Sequence, residues 1–492
     1  MLGYLETLSA LFILFLGLGV LAIIYMYIVD KIQNKQAIRH NYPVIGRFRY
    51  FFEKQGEFFR QYFFAMDREE LPFNRAERSW VYRAAKNVDR TVAFGSTRNL
   101  EPVGTIMFMN CAFPTLEEDA APPSSITFGQ HCREPYTTDS LFNISALSFG
   151  ALSARAIKAL SDGAAKAGCW LNTGEGGVSE YHLASGADIV FQIGTAKYGV
   201  RDEHGQLCDK LLAALAAKAQ IKMFEIKMSQ GAKPGKGGIL PGKKVTEEIA
   251  KIRGIMPGVD SISPNAHPEI KSVKDMLTMI NRVREVTGKP VGFKAVIGES
   301  LWLRDLLEEI NLQGAEFAPD FITIDSADGG TGAAPQPLMD YVGLPLKESL
   351  PLVVNLLVEY GLRDRIRIIC AGKLITPSKV AWAIAMGADA VNSARGFMFS
   401  LGCIQAMQCN KDTCPTGITT HNPRLQQGLD PVNKAERVAN YHKYIQYGVG
   451  ILAHSCGVTH ARDLGRHHVR VIQDNGLSVA LDKLHPYNET KH

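Results

Sequence analysis

Cys403, Cys409 and Cys414 stand in the run CIQAMQCNKDTCPTG, with five and then four residues between them. Three thiols this close together, on a loop bounded by Gly and Pro, can surround one soft metal centre. Thiolate ligands select zinc or an iron–sulfur cluster. The paired C-x-x-C of common zinc sites is missing, and three ligands without a nearby fourth suit a three-iron cluster. A chance grouping of free cysteines is the plain alternative. Cys111, Cys132, Cys169, Cys208, Cys370 and Cys456 show no ligand spacing and read as core or surface thiols.

A second set of residues is glycine-rich and basic. It comprises LSFGAL (147–152), NTGEGG (172–177), SQGAKPGKGG (229–238), DGGTG (328–332), AGKL (371–374) and SARG (393–396). Glycines let backbone N–H groups approach a ligand closely, and turn nests of such groups hold anions. Any one of these glycines is more simply a turn. Six clusters, each after an apolar run, read as the rim of a site, with Lys227, Lys233, Lys373 and Arg395 supplying its cations. His182 and His267 have no evident partner and read as structural.

These stretches need elements to hold them. Short apolar runs recur at residues 142–148, 170–173, 189–193, 224–228, 259–263, 291–297, 321–325, 367–371 and 390–394. Helical patterns lie between them, at 153–167, 210–219, 272–287 and 377–386. Strand, helix, strand at this spacing makes parallel βαβ units. Nine runs compete for eight places, and 259–263 is the weakest. The alternation predicts an α/β (β/α)8 TIM barrel, whose strand carboxyl ends form the catalytic face. The pair AGKL and SARG then falls where such barrels often bind phosphate. No G-x-G-x-x-G follows a strand, so a Rossmann-type nicotinamide domain is not visible.

Residues 8–29 form 22 positions without a charge. At about 1.5 Å per residue they reach roughly 33 Å, enough for a bilayer core. The run is too long for a signal peptide's apolar region, and neither a basic start nor a cleavage site flanks it. Lys31, Lys35, Arg39, Arg47 and Arg49 follow it, whereas only Glu6 precedes it as a charge. The positive-inside rule then predicts a single-pass anchor in the inner (cytoplasmic) membrane with the body on the cytoplasmic side. Between Phe48 and Phe64, nine of 17 residues are aromatic and interleaved with basic ones. That mixture suits either an interfacial helix or a face packed on the following domain.

The expected organisation is an anchor (1–30), a juxtamembrane aromatic and basic segment with an irregular cap (31–135), the barrel with its cysteine loop (136–430) and a helical C-terminal extension (431–492). The chain has 492 residues, 46% hydrophobic and 21% charged, which excludes disorder. A net charge of +5 is too small to point to nucleic acid. Nine cysteines, an odd and scattered set, argue against a secreted disulfide framework.

Taken together, SALSFGALSARAIKAL (145–160), NTGEGG, EIKMSQGAKPGKGGILPGKKV (225–245), DGGTGAAP (328–335), YGLRDRIRI (360–368) and LGCIQAMQCNKDTCPTG (401–417) resemble the FMN-binding synthase domain of glutamate synthases. The similarity spans about residues 95–470. It implies a (β/α)8 barrel with FMN at its mouth and a [3Fe–4S] cluster on Cys403, Cys409 and Cys414. It further implies reduction of 2-iminoglutarate, formed from 2-oxoglutarate and ammonia, to glutamate by an oxidoreductase acting on CH–NH2 donors. Ser148, Phe149, Gly150 and Ala151 would lie against the flavin, with Gln192 a contact to its ring. Gly329, Gly330, Gly372, Lys373, Ser393 and Arg395 would surround its phosphate. Glu175, Lys227, Gln230 and Lys233 match the motifs around the oxo-acid.

The chain departs from that family's pattern in places. Ala371-Gly372-Lys373 replaces a common Asp-Gly-Gly, Ile262-Ser263-Pro264-Asn265-Ala266-His267 replaces a proline- and histidine-rich run, and Lys197 stands where Arg is usual. An apolar helix stands where the family has a catalytic N-terminal cysteine, and no glutaminase domain, C-terminal solenoid or NAD(P)H subunit is evident. The resemblance leaves the electron donor open and leaves room for a homo-oligomer. Two rivals remain at this stage. One is a methylamine–glutamate N-methyltransferase-like subunit; the other is a non-catalytic, membrane-tethered electron-transfer module. Glu175, Lys227 and Lys233 favour catalysis, since an electron carrier has no need of them.

Overall fold

Alternation within each strand decides what fills the middle of this fold. In the computed structural model, which describes residues 2–88 and 91–488, eight parallel strands close on themselves as a barrel. They are β1 (Phe142–Ile144), β2 (Leu171–Asn172), β3 (Ile189–Ile193), β4 (Ile221–Lys227), β5 (Val291–Ala295), β6 (Phe321–Asp325), β7 (Arg367–Ala371) and β8 (Ala390–Ser393). Closure is made by β8 on β1, with Asn392 opposite Asn143. Eight of the nine expected runs are therefore barrel strands. The ninth yields only Ser261–Ile262, paired antiparallel with Ile239–Leu240 outside the barrel. Pro257 and Pro264 bracket that run and keep it short.

The interior is layered. In β4, side chains alternate between faces, so Met223, Glu225 and Lys227 share one face. Met223 joins a buried cluster with Trp170, Val190, Phe321, Ile369 and Ala390, each just before or within the first three residues of a strand. A hairpin of Ile126–Phe128 and Tyr136–Thr138 adds Ile126, Phe128 and Tyr136 to the same cluster. The Phe128 ring meets Trp170 at 5.7 Å and Phe321 at 5.9 Å, both nearly edge-on. Aromatic edges of this kind fill volume without polar groups to satisfy. The amino-terminal end of the barrel is thereby plugged, and chemistry is left to the carboxyl end.

Above the plug lies a polar layer. Glu225 Oε1 accepts from Asn172 Nδ2 (2.9 Å) and Gln192 Nε2 (2.6 Å), and Oε2 accepts from Thr323 Oγ1 (2.6 Å). One buried carboxylate thus ties β2, β3, β4 and β6 together. A buried carboxyl group is tolerated only when hydrogen bonds replace its water, and these three do so.

The helices follow their expected positions closely. Helix Ala154–Ala167 is capped by Ser153, whose hydroxyl accepts from the Ala156 N–H, and Val273–Thr287 is capped in the same way by Ser272. Such caps contribute about 1 kcal/mol each. Helix Pro431–Ser455 packs against Ala154–Ala167, and Gly163 permits the approach: a Cβ there would lie 2.5 Å from Val438. The C-terminal extension also supplies strands Val469–Ile472 and Ser478–Ala480, which form a three-stranded sheet with Ile106–Phe108.

The chain divides into two units, Met1–Ala76 and Glu77–His492, with the barrel in the second. In the first, helix Leu2–Ile32 is followed by Ala37–Asn41, Gly46–Phe59 and a π-helical turn, Arg60–Phe64. Among the described residues, one helix is long and apolar enough to cross a membrane, Gly3–Ile32; its most apolar 18-residue stretch has a mean hydropathy of 2.6 and is not buried.

Candidate active site at the carboxyl ends of the barrel strands

Directly above the polar layer the interior becomes charged. Lys227 ends β4 and its Nζ donates to Glu175 Oε1 at 2.7 Å. Glu175 sits in the 3-10 turn Gly174–Gly176 that follows β2. Burial alone would raise its carboxyl, but Lys227, Lys233 and Arg253 outweigh burial and hold it at about 2. Its other oxygen, Oε2, is buried with no hydrogen-bond partner among the described residues. An ionised, half-satisfied carboxylate in a buried site is a natural acceptor for a ligand's proton or N–H group.

Lys233 lies in the loop after β4 and is only 6% exposed. Burial, and secondarily the neighbouring Lys227, lowers its ammonium to about 8. Lys227 is also shifted down, by burial first, against the opposing pull of Glu175. On β5, Lys294 is the register partner of Lys227, and its Nζ lies 3.9 Å from Asp325 Oδ2 at the end of β6. Burial raises the Asp325 carboxyl. Three lysines and two carboxylates therefore share one buried mouth. Gln230, in the same loop as Lys233, donates to Thr331 Oγ1 at 3.2 Å.

The other expected residues line this mouth in two groups. Residues 148–151 follow β1. Phe149 is buried, its ring 5.1 Å from Tyr181 and 6.0 Å from His421, and its carbonyl accepts from Arg253 Nη2 at 3.3 Å. The Gly150 carbonyl meets His421 Nε2 at 2.8 Å. Gln192 belongs to the polar layer through Glu225. Across the barrel, the loops after β6, β7 and β8 converge. Lys373 Nζ pairs with Asp328 Oδ2 at 2.9 Å, and Arg395 donates to the Thr331 carbonyl. Gly372 has φ of 145°, and a Cβ there would lie 2.2 Å from the Ser326 Cβ, so glycine is required for AGK to pass this close. Gly330 packs against Arg395, whose Nε would lie 3.0 Å from a Cβ there, and Gly329 lies beside Gly231. Ser393 is buried at the end of β8. A cation pair, a buried hydroxyl and close glycine backbone make a cradle whose chemistry fits a phosphate ester.

The cysteine loop is latched to this rim. Arg395 Nη1 lies 3.8 Å from Cys409 Sγ. Lys244 is buried and spends all three donors on the carbonyls of Ala151 (2.8 Å), Cys409 (3.3 Å) and Thr419 (3.0 Å). Burial raises the Cys403 thiol; at Cys414 burial is outweighed by hydrogen bonds from Thr416 and Thr419, and the thiol is lowered. Among the described residues no three His, Cys, Asp or Glu side chains converge closely enough to hold a metal ion. The donor set thus has the chemistry of a thiolate site, while its three sulfurs are not drawn together.

Both histidines without a sequence partner are built into the scaffold. His182 Nδ1 caps its own helix at Ser179 (2.8 Å to Oγ), and His267 Nε2 meets the Lys227 carbonyl at 3.1 Å. Burial lowers both to about 4, so they stay neutral. Lys197 is buried and pairs with Glu269 at 3.1 Å. Glu225, Lys294, Asp325 and Arg253 belong to the site or its support; the last three stand outside the motifs that mark the rest, and Glu225 opens the 225–245 stretch without a role assigned to it there. Period-two spacing with Lys227 and with Thr323 is the signal that reaches Glu225 and Asp325.

A closed parallel barrel with its ionisable groups gathered at the strand carboxyl ends defines a (β/α)8-barrel enzyme. The conserved region of glutamate synthase matches residues 100–459, and the chain belongs to that family of oxidoreductases. It is 39% identical to the glutamate synthase large subunit-like protein YerD of Bacillus subtilis, over 97% of this chain and 99% of that one. It is 37% identical to the archaeal-type glutamate synthase [NADPH] of Thermotoga maritima, over 60% of this chain and 55% of the relative's length. Against the glutamate synthase [NADPH] large chain of Bacillus subtilis it is 34% identical and spans 19% of that protein. Among solved structures, a mandelate oxidase variant aligns with a TM-score of 0.46 and 14% identity, over 80% of this chain and 98% of that chain.

Proposed function

We propose that this chain reduces 2-iminoglutarate, formed from 2-oxoglutarate and ammonia, to glutamate, as a membrane-anchored protein holding FMN at the barrel mouth. The observation that carries the reading is the buried cluster of Glu175, Lys227 and Lys233 above a polar barrel layer, in a chain of the glutamate synthase family. Lys373, Ser393, Arg395 and the backbone at Gly329, Gly330 and Gly372 would hold the FMN phosphate, with residues 148–151 and Gln192 toward the ring. When bound, the flavin supplies the hydride for a carbon–nitrogen double bond.

The protein's own residues do the rest. Lys233 pairs with a substrate carboxylate, and Gln230 orients the acid at the same loop. Glu175 is ionised, so it accepts a proton as nitrogen adds to the carbonyl carbon. The protonated Glu175 then returns that proton as water leaves the carbinolamine and the carbon–nitrogen double bond forms. The plug of Phe128 against Trp170 and Phe321 keeps water from entering from below. The direct test feeds nitrogen-15 ammonium and 2-oxoglutarate to the chemically reduced protein and follows labelled glutamate by mass spectrometry. Labelled product supports the reading; consumption of methylamine in place of ammonium would move it to the N-methyltransferase-like rival.

A pH dependence follows from the lowered Lys233. The cation that binds the dicarboxylate is present below about pH 8 and is lost above it. With free ammonia held constant, kcat/KM for 2-oxoglutarate should be flat at neutral pH and fall about tenfold per pH unit above that point. Lys233→Arg should move the falling limb upward, since guanidinium stays charged.

We also propose that Cys403, Cys409 and Cys414 hold a [3Fe–4S] cluster, which requires the loop to close around it. Protein assembled in cells should carry about three irons per chain. Cys409→Ser should remove that iron and the associated sulfide while sparing flavin content. One zinc and no labile sulfide would refute the cluster.

A further inference from the structure

We propose that helix Gly46–Phe59 and the turn Arg60–Phe64 form a second, interfacial anchor that lies on an anionic bilayer surface. The inference rests on the reading of residues 8–29 as a membrane span. Wound at 100° per residue, Phe48, Phe52 and Phe59 share one side of the helix with Phe51 and Phe58 beside them, and Phe63 follows against Phe59 in the π-helical turn. These six rings are between 42% and 68% exposed. The rings meet in two groups on this side of the helix, Phe48 with Phe52 at 6.4 Å and Phe59 with Phe63 at 5.6 Å. The opposite face carries Arg49, Glu53, Lys54 and Glu57.

Exposed rings alone do not name their partner; the start of the helix does. Asp30, at the end of the apolar helix, is fully buried and accepts five hydrogen bonds. Two come from Arg39, two from Arg47 and one from the Val44 N–H, at 2.6–3.0 Å. Val44 is held with φ of 66°, which a β-branched residue adopts only when its surroundings impose it. Gly46 lets the return pass close to the preceding helix, since a Cβ there would lie 2.7 Å from the Ile38 carbonyl. The aromatic helix therefore begins within one arginine side chain of the end of the span. That is the depth at which aromatic rings and basic side chains meet lipid headgroups. Lys31, Lys35, Arg49, Lys54 and Arg60 exceed Glu53 and Glu57 in this segment, matching an anionic leaflet.

The test uses the full-length protein in vesicles of phosphatidylcholine and phosphatidylglycerol, with and without brominated acyl chains. Leu14→Trp reports on the span and Phe52→Trp on the aromatic face, each read as the signal added to the four native tryptophans. Both added signals should fall by at least about twofold in brominated lipid. Combining each reporter with Asp30→Ala should release the Phe52→Trp signal from quenching and leave the Leu14→Trp signal quenched. If the Leu14→Trp signal is quenched and the Phe52→Trp signal is not, the interfacial anchor is overturned and the span stands. If neither is quenched, the span itself is refuted and the proposal falls with it. A Phe52→Trp signal shielded from both brominated lipid and aqueous acrylamide would mean that protein, such as a second copy, covers the face, and would equally overturn it.

Discussion

Lys233→Ala is expected to lower kcat/KM for the oxo-acid by about 10- to 100-fold while flavin stays bound. A charge-assisted hydrogen bond to a carboxylate contributes about 1.5–3 kcal/mol, and each 1.36 kcal/mol is tenfold in rate. Lys233 meets the conditions for that full value. It is 6% exposed, so water does not compete for it, and no acceptor within the described protein engages its ammonium. Lys227 already donates to Glu175 Oε1 at 2.7 Å, which leaves Lys233 as a cation available to an incoming dicarboxylate. A solvated loop lysine would be worth under about half a kcal/mol. The measurement is transient: reduced wild type and variant are mixed with 2-oxoglutarate and ammonium, and flavin reoxidation is compared. Flavin content, read from the absorbance of each sample, should match. Equal rates would remove Lys233 from the site.

Glu225→Leu is expected to destabilise the barrel by about 3–5 kcal/mol, the cost of leaving buried polar partners unpaired. Asn172, Gln192 and Thr323 would lose their shared acceptor in a space closed below by aromatic rings. Glu225→Gln keeps one acceptor oxygen and the side-chain shape, so it should cost less, about 1–2 kcal/mol. Denaturant midpoints of the two variants, measured under the same conditions, order the effects. If Leu matched wild type, the polar layer would not organise the strands.

The barrel was legible because eight apolar runs alternate with helical patterns and lead into glycine-bearing loops. The run at 259–263, the weakest of the nine, stays outside the barrel, where flanking prolines leave it paired over only two residues. Within the site, Lys233 and Glu175 were legible because they sit in glycine-rich loops, where a charged residue stands out. Glu225 and Lys294 were hidden inside strands, where a lone charge resembles a solvent-facing position until closure of the barrel turns it inward. The clamp at Asp30 was hidden for another reason. Its partners, Arg39 and Arg47, are 9 and 17 residues away, and a left-handed Val44 makes the return that joins them. In the sequence the basic residues after the span show only a charge bias, yet two of them serve a buried carboxylate.

The most direct measurement of the central claim is reoxidation of the reduced holoprotein by 2-oxoglutarate and ammonium together, with each alone as the comparison. If this mouth reduces 2-iminoglutarate, the pair should reoxidise the flavin far faster than either component, and glutamate should form in step with flavin oxidation. Reoxidation no faster with the pair than with buffer, in protein holding a full complement of flavin, would contradict it.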